Sequence, residues 1–135
     1  MMNREVPFAP LVRRLEEEAV VVDDRIVKID HFLNHRIEPA FMADLGAALA
    51  ERLAPYAPEL VLTAEASGIA PGLATATALG VPLVFAKKYS TDVPAPALSR
   101  VVLSVTKGSE YRLVVSERFL PVGVRVVLVD DFLAN

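Results

Sequence analysis

The sequence has 135 residues, of which 53% are hydrophobic, and its 14 basic and 17 acidic side chains give a formal net charge of −3. This composition argues against a disordered chain and suits one domain, residues 1–135, with its own hydrophobic core. The balanced charges argue against a nucleic-acid or membrane partner, and the absence of cysteine excludes disulfides and thiolate catalysis.

The N-terminal part of the chain is predicted to contain two helices with a short strand between them. Residues 10–19 have apolar side chains on one side, and residues 25–29 alternate apolar and polar side chains as a strand does. Pro39 suits the first turn of the second helix, which should end near Pro55. The apolar face of this helix consists of Phe41, Met42, Leu45, Leu49 and Leu53.

The middle of the chain is predicted to contain two buried strands joined by a helix. The strands are residues 59–65 and 81–88, and residues 68–80 form a helix of small residues that Gly80 closes. Such strands pair in parallel through a right-handed crossover. Glycines and prolines interrupt this apolar region, so we predict no membrane-spanning helix there. The N-terminus has no apolar core of signal-peptide length, and we therefore expect a soluble, cytoplasmic protein.

The last part of the chain is predicted to be mainly β-structure. Residues 90–99 contain two prolines and should form an exposed loop. Residues 100–107 and 110–118 flank Gly108 and Ser109, a pair that suits a tight hairpin turn, and residues 125–129 form a last strand. The sequence therefore predicts an α/β fold, with an open parallel sheet flanked by helices and a β-hairpin insertion.

Polar side chains follow three of the predicted strands, at residues 65–68, 87–88 and 130–131. Ligands of open parallel sheets bind beyond the carboxyl ends of the strands. A glycine turn that opens a helix can seat an anion, lysines can hold phosphate, and paired acids can accept sugar hydroxyls or hold Mg²⁺ through water. Each feature also has an ordinary explanation, namely a topological turn, solvated lysines or a helix cap. His31 and His35 have no acid or cysteine partners in a metal-site pattern, so metal ligation is not expected.

Three segments of the sequence resemble those of one enzyme family. The segment VVLVDDFLAN, residues 126–135, resembles the ribose-phosphate motif of type I phosphoribosyltransferases. Together with KIDHFLNHRIEP (28–39) and EASGIAPGLATATALGVPLVFAKK (65–88), it is similar to the xanthine phosphoribosyltransferase family, over residues 11–135. The resemblance implies an enzyme of purine salvage that acts as a homodimer. It would transfer the phosphoribosyl group of phosphoribosyl pyrophosphate (PRPP), bound with Mg²⁺, to xanthine, giving xanthosine monophosphate (XMP) and pyrophosphate.

The resemblance also implies a role for each matched residue. Val27 and Asn34 would contact the purine from a small N-terminal hood, and Asp130 and Asp131 would be the catalytic acids at the ribose hydroxyls. The family has no direct protein ligand to the metal, and residues 90–99 would close over the site. The residues implied at the phosphates are Ala66, Ser67, Gly68, Lys87 and Lys88 for pyrophosphate, and Ala134 and Asn135 for the 5′-phosphate.

The family pattern continues after the position of Asn135 with a glycine-containing phosphate loop, a helix, a further strand and a lysine that contacts the base. The resemblance therefore implies a chain truncated at its C-terminus and inactive by itself. Two alternatives stay open: a non-catalytic domain that senses PRPP or purines, and a phosphoribosyltransferase specific for adenine or guanine. The segment FLNH, residues 32–35, argues against the second, and the lack of a helix-turn-helix and a basic patch argues against a DNA-binding regulator.

Overall fold

The structure is a computed structural model, and it describes residues 7–23, 26–89, 96–103, 108 and 110–132. Its helices are α1 (Ala9–Glu18), α2 (Pro39–Leu53) and α3 (Ile69–Leu79), with a π-helical turn at Asp30–Asn34 and short 3₁₀ turns at Ala54–Tyr56 and Glu117–Phe119. Its strands are β1 (Val20–Val22), β2 (Ile26–Lys28), β3 (Leu60–Ala64), β4 (Leu83–Tyr89), β5 (Ala97–Leu103), β6 (Glu110–Ser116) and β7 (Val126–Leu128). No helix in these ranges is long and apolar enough to span a bilayer.

The main sheet has five strands in the order β5-β6-β4-β3-β7. Strand β3 pairs in parallel with β4 on one side and with β7 on the other. Strand β4 changes partner along its length, because Leu83 to Ala86 face β3, whereas Lys87 to Tyr89 pair antiparallel with β6. The predicted α/β fold is thus confirmed, and β5 and β6 form the predicted hairpin. Glu110 pairs with Leu103, so six positions separate the paired strands where a two-residue turn at 108–109 was predicted. Ser109, predicted in that turn, lies outside the described residues.

The strand predicted around Val27 exists, but its place in the parallel core was wrong. Strand β2 pairs antiparallel with β1 in a separate two-stranded sheet, where Val27 faces Val21. The reason is proximity along the chain, because an antiparallel partner only a few residues away needs no crossover connection. The sequence analysis did not predict β1, and so this nearer partner was missed.

Two hydrophobic clusters hold the layers together. The first joins the π-helical turn to α2, and the second places Ala76 of α3 against Val61 of β3 and Val129 after β7. The buried members of the first cluster are Ile29, Phe32, Leu33, Met42 and Leu45. Helix α3 ends as predicted at Gly80, whose φ of +70° lies in the left-handed region that glycine tolerates. The second cluster packs α3 against β3 and the segment after β7.

Arg14 of α1 links the N-terminal helix to the rest of this part of the chain. Its guanidinium donates hydrogen bonds to Glu18 at 2.7 and 2.8 Å and to Glu38 at 2.5 and 3.2 Å. It also lies over the rings of Phe32 and Phe41, 4.5 and 5.1 Å from their centroids. These hydrogen bonds lower the pKa of both carboxyls below the usual value. The contacts fix the π-helical turn, which carries Asn34.

Candidate active site

The parallel strands β3, β4 and β7 point the same way, so the segments that follow them meet at one edge of the sheet. The turn 65–68 follows β3, and Asp130 and Asp131 follow β7. The two lysines were predicted at the end of a strand, but both lie within β4, because pairing with β6 extends this strand to Tyr89. This edge is the candidate active site.

The turn 65–68 is tied to β4 by Glu65. The backbone N–H of Glu65 donates to Ala86 O at 3.0 Å, and its carboxylate accepts a hydrogen bond of 2.5 Å from the backbone N–H of Lys88. The peptide bond between Glu65 and Ala66 is cis. Ile69, the first residue of α3, donates to Ala66 O at 3.2 Å. The turn is therefore held at both ends, by β4 and by the helix that it opens.

Gly68 is required by space rather than by backbone conformation, since its φ is −73°. A Cβ at this position would lie 2.0 Å from Thr63 Oγ1 and 2.6 Å from Asp130 Oδ1. Both distances are far shorter than a van der Waals contact. The absence of a side chain thus lets the turn approach the acid after β7.

Asp130 and Asp131 each accept a hydrogen bond from the backbone of the next residue. Asp130 Oδ1 accepts from the N–H of Asp131, and Asp131 Oδ1 accepts from that of Phe132, both at 3.0 Å. Partial burial raises the pKa of Asp130 above its usual value. The hydrogen bond from Asp131 opposes this rise, the negative charge of Asp131 adds to it, and the positive charge of Lys88 opposes it. Asp130 is therefore harder to ionise than an isolated carboxylate.

Asn34 reaches the acid pair from the π-helical turn. Its Nδ2 donates a hydrogen bond of 3.0 Å to Asp131 Oδ2, so each oxygen of Asp131 accepts a hydrogen bond. Buried Phe32 and Leu33 anchor the same turn in the first cluster. Val27, the other residue predicted at the purine, lies on β2 with 41% of its surface exposed.

The two lysines of β4 have different surroundings. Lys88 Nζ lies 5.2 Å from the ring centroid of Tyr111, and its charge acts on Asp130. Lys87 Nζ lies 6.0 Å from that of Phe85, and Lys87 lines a cavity of about 410 Å³ between β4, β6 and the turn Glu117–Phe119. Successive side chains of a strand point to opposite faces. The structure therefore brings Lys88, but not Lys87, to the face with the acids.

Of the other predicted residues, Ala66 and Ser67 lie in the turn 65–68, whereas Ala134 and Asn135 fall outside the described residues, as do residues 90–95 of the predicted loop. The prediction of a loop was wrong for residues 97–99, which lie in β5 because they pair with β6. Sequence reasoning did not assign a role to Glu65 or Thr63. A hydroxyl inside the apolar strand LVLTA was the available signal for Thr63. Within the described ranges, no group of three or more His, Cys, Asp or Glu side chains could hold a metal ion.

The chain is similar in sequence to curated xanthine phosphoribosyltransferases. No protein-family model matches the chain. A xanthine phosphoribosyltransferase of Chloroflexus aurantiacus is 60% identical to it over 129 residues, which are 96% of this chain and 61% of that protein. A xanthine phosphoribosyltransferase of Pseudomonas savastanoi pv. phaseolicola is 40% identical over 126 residues, which are 93% of this chain and 67% of that protein. The chain thus spans 61% and 67% of the length of these curated relatives.

Solved structures show the same architecture. The adenine phosphoribosyltransferase of Thermoanaerobacter pseudethanolicus superposes with a TM-score of 0.57 at 29% identity, over 72% of this chain and 55% of that one. The APRTase of Giardia lamblia in complex with 9-deazaadenine gives a TM-score of 0.67 at 19% identity, over 91% of this chain and 68% of that one. These likenesses agree with the type I phosphoribosyltransferase fold.

Proposed function

Because the chain belongs to the xanthine phosphoribosyltransferase family, we propose that it transfers the 5-phosphoribosyl group of PRPP to xanthine, forming XMP and releasing pyrophosphate. The activity is proposed from whole relatives, of which this chain spans 61% and 67%.

The hydrogen bond between Asn34 and Asp131 supports the proposal most directly. Asn34 is proposed to read the purine, and Asp131 is proposed to accept a ribose hydroxyl. In the product the purine and the ribose are joined by one covalent bond, so the residues that bind them must be neighbours. Asn34 and Asp131 lie on separate elements and meet at 3.0 Å, as that requirement demands. Val27, on the neighbouring strand β2, stays a prediction as the second purine contact.

Asp130 and Asp131 are proposed as the catalytic acids. Displacement at the anomeric carbon passes through a state in which the ribose ring gains positive charge. Carboxylates that hold the ribose hydroxyls stabilise this charge and orient the ring for attack by the purine nitrogen. The backbone hydrogen bonds of the pair keep both carboxylates oriented before substrate arrives.

The turn 66–68 and Lys88 are proposed to hold pyrophosphate. The turn opens α3, an eleven-residue helix, and the positive end of a helix dipole attracts anions. Lys88 adds a cation on the face that carries the acids. Lys87 faces the cavity beside β6, and its predicted contact with pyrophosphate stays a prediction, as do the roles of Ala134 and Asn135.

Mg²⁺ is proposed as the cofactor and would arrive bound to PRPP. The oxygens of Asp130 and Asp131 are hard donors that suit Mg²⁺ through bridging water, and a closed protein cage is not required for an ion that keeps part of its hydration shell. The bound ion would neutralise negative charge on the leaving pyrophosphate. The residues present therefore fit a cofactor that enters with its substrate.

We also propose that the protein acts as a homodimer in the cytoplasm. An apolar groove between α2 and α3, of about 520 Å³, includes Ile37 and Leu73, which are 46% and 55% exposed. Exposed apolar grooves of this kind are commonly covered by a partner. Phosphorylated sugars such as PRPP are made and used inside cells, which supports the location. Light scattering of the purified protein would test the dimer.

The proposed activity is tested by incubating the purified protein with PRPP, Mg²⁺ and one purine at a time, and by separating the products. We expect XMP and pyrophosphate with xanthine, and much slower turnover with adenine, from the protein as it exists. Residues 1–135 by themselves, which the resemblance implies are inactive, form a separate arm of the assay. A preference for adenine or guanine would overturn the specificity. Binding of PRPP by calorimetry without turnover of any purine would instead favour the non-catalytic sensing domain.

A further inference from the structure

The hydroxyl of Thr63 is a buried polar group with an unmet hydrogen-bonding need. Thr63 is 2% exposed, and its Oγ1 has no hydrogen-bond partner among the described residues. A buried hydroxyl without a partner destabilises the folded state, and native proteins hold few such groups. Valine has almost the same shape and would fit a purely structural position better. The hydroxyl therefore calls for a functional explanation.

The orientation of Thr63 is fixed by its own methyl group. A Cβ on Gly72 of α3 would lie 3.4 Å from Thr63 Cγ2, an ordinary packing distance, so the methyl group packs against the helix. β-branched side chains have few rotamers, and packing of the methyl group also fixes the hydroxyl. The hydroxyl consequently faces Gly68 and Asp130.

The space between Thr63 Oγ1 and Asp130 Oδ1 is the space that Gly68 leaves open. Both oxygens lie within 2.6 Å of the point at which a Cβ on Gly68 would sit. Asp130 Oδ1 already accepts one hydrogen bond, from the backbone N–H of Asp131. An oxygen of a carboxylate has two lone pairs, so it can accept a second hydrogen bond from Thr63.

We propose that Thr63 is a positioning residue: its hydroxyl donates a hydrogen bond to Asp130 Oδ1 when the phosphoribosyl ligand binds, and so turns Oδ2 toward the ribose. The inference rests on the proposed function, because it assumes that Asp130 holds the ribose. It also explains why Gly68 carries no side chain, since any Cβ would separate donor from acceptor. The new hydrogen bond satisfies the buried hydroxyl of Thr63, which has no partner without the ligand. It therefore stabilises the ligand-bound arrangement.

The test compares Thr63→Val, which removes the hydroxyl at nearly constant shape, with Thr63→Ser, which retains it. Thr75→Val is the matched control, because Thr75 is also fully buried but donates to Pro71 O at 2.8 Å within α3. KM is measured for PRPP and for xanthine separately, and the melting temperature is measured with and without PRPP.

We expect Thr63→Val to raise the KM for PRPP about ten-fold, because one hydrogen bond to a charged group is lost. The KM for xanthine should stay nearly unchanged. The melting temperature of this variant without ligand should equal or exceed that of the wild type, whereas PRPP should raise it less. Thr63→Ser should keep a KM for PRPP near the wild-type value. Thr75→Val should lower the melting temperature and leave both KM values unchanged.

A wild-type KM for PRPP in Thr63→Val, or an equal defect in Thr63→Ser, would overturn the inference. Thr63→Ala offers a second variant without the hydroxyl, with the same expected KM, should valine prevent folding. Failure of the proposed function is a separate result: the wild-type protein itself would then neither bind nor convert PRPP, before any variant is compared.

Discussion

Asn34 Nδ2 and Asp131 Oδ2 are joined by a hydrogen bond of 3.0 Å across 97 positions of the sequence. The bond connects the π-helical turn, which belongs to the N-terminal part of the chain, to the segment after β7 at the edge of the main sheet. It makes the proposed purine-binding and ribose-binding regions one unit. A substitution at Asn34, the residue on the purine side, is expected to weaken binding of the base most.

Asn34→Ala is expected to raise the KM for xanthine about ten-fold and the KM for PRPP by less. The amide has a second N–H and a carbonyl oxygen available for the purine, and a buried polar site discriminates strongly through such groups. Loss of one hydrogen bond accounts for the factor of about ten. Steady-state kinetics with each substrate varied in turn would measure both constants. Equal losses for both substrates would contradict the assignment, and His35→Ala on the neighbouring residue serves as control.

Gly68→Ala is expected to destabilise the protein by about 1–3 kcal/mol and to abolish detectable PRPP binding. The added Cβ would collide with Thr63 Oγ1 and Asp130 Oδ1, at 2.0 and 2.6 Å. Gly80→Ala is the control, because a Cβ there meets open space but the backbone keeps φ at +70°, a strain of about 1–2 kcal/mol. Chemical denaturation would measure the loss of stability in both variants, and calorimetry with PRPP would measure whether each still binds the ligand. PRPP binding retained in Gly68→Ala would refute the close packing of turn and acid.

Asp130→Asn is expected to increase stability at neutral pH while greatly reducing turnover. Burial raises the pKa of Asp130 in the folded protein, so the folded state binds more protons than the unfolded state between the ordinary carboxyl pKa of about 4 and the raised value. The contribution of Asp130 to stability therefore falls as pH rises through this window.

Denaturant unfolding of Asp130→Asn and of the wild type between pH 3 and pH 8 would measure this effect. The two stabilities should be most alike below about pH 4, where the carboxyl is protonated in both states, and should diverge as pH rises. A variant less stable than the wild type at every pH would contradict the raised pKa.

Arg14→Lys is expected to lower the melting temperature, more than Arg13→Lys does. Lysine keeps the charge of Arg14 but cannot donate to Glu18 and Glu38 together or stack on the rings of Phe32 and Phe41. Arg13 lies exposed on the same helix and is the matched control. Because Arg14 lowers the pKa of both carboxyls, its stabilisation should be lost only as pH falls through their lowered pKa values. Thermal unfolding near pH 7 and near pH 3 checks both statements.

Local patterns in the sequence predicted most of the secondary structure. Helical spacing from Pro39 and the small residues before Gly80 correspond to α2 and α3, and the apolar runs correspond to β3, β4 and β7. These elements are determined by residues close in sequence. The order of strands in the sheet, with β7 beside β3 rather than beyond β4, depends on distant packing, which no local pattern reports.

The candidate site was predicted in its parts but not in its internal contacts. The acid pair, the turn at Gly68 and Asn34 were named from the sequence. The divergence of Lys87 and Lys88 was missed because β6, which extends β4 through both lysines, pairs with it from a distant part of the chain. Thr63 was missed because only the surrounding fold gives its hydroxyl a neighbour in Asp130.

The pairing of β3 with β7 also determines when the site can exist during folding. At the start of this pairing, the N–H of Arg125 donates to the carboxylate of Glu59 across 66 positions of the sequence. Closing so long a loop loses chain entropy before any contact compensates, whereas α2, α3 and the β5–β6 hairpin can form from nearer residues. The acid pair is therefore expected to join the turn at Gly68 late in folding. Recovery of PRPP binding should then lag behind recovery of helix content when the protein is refolded.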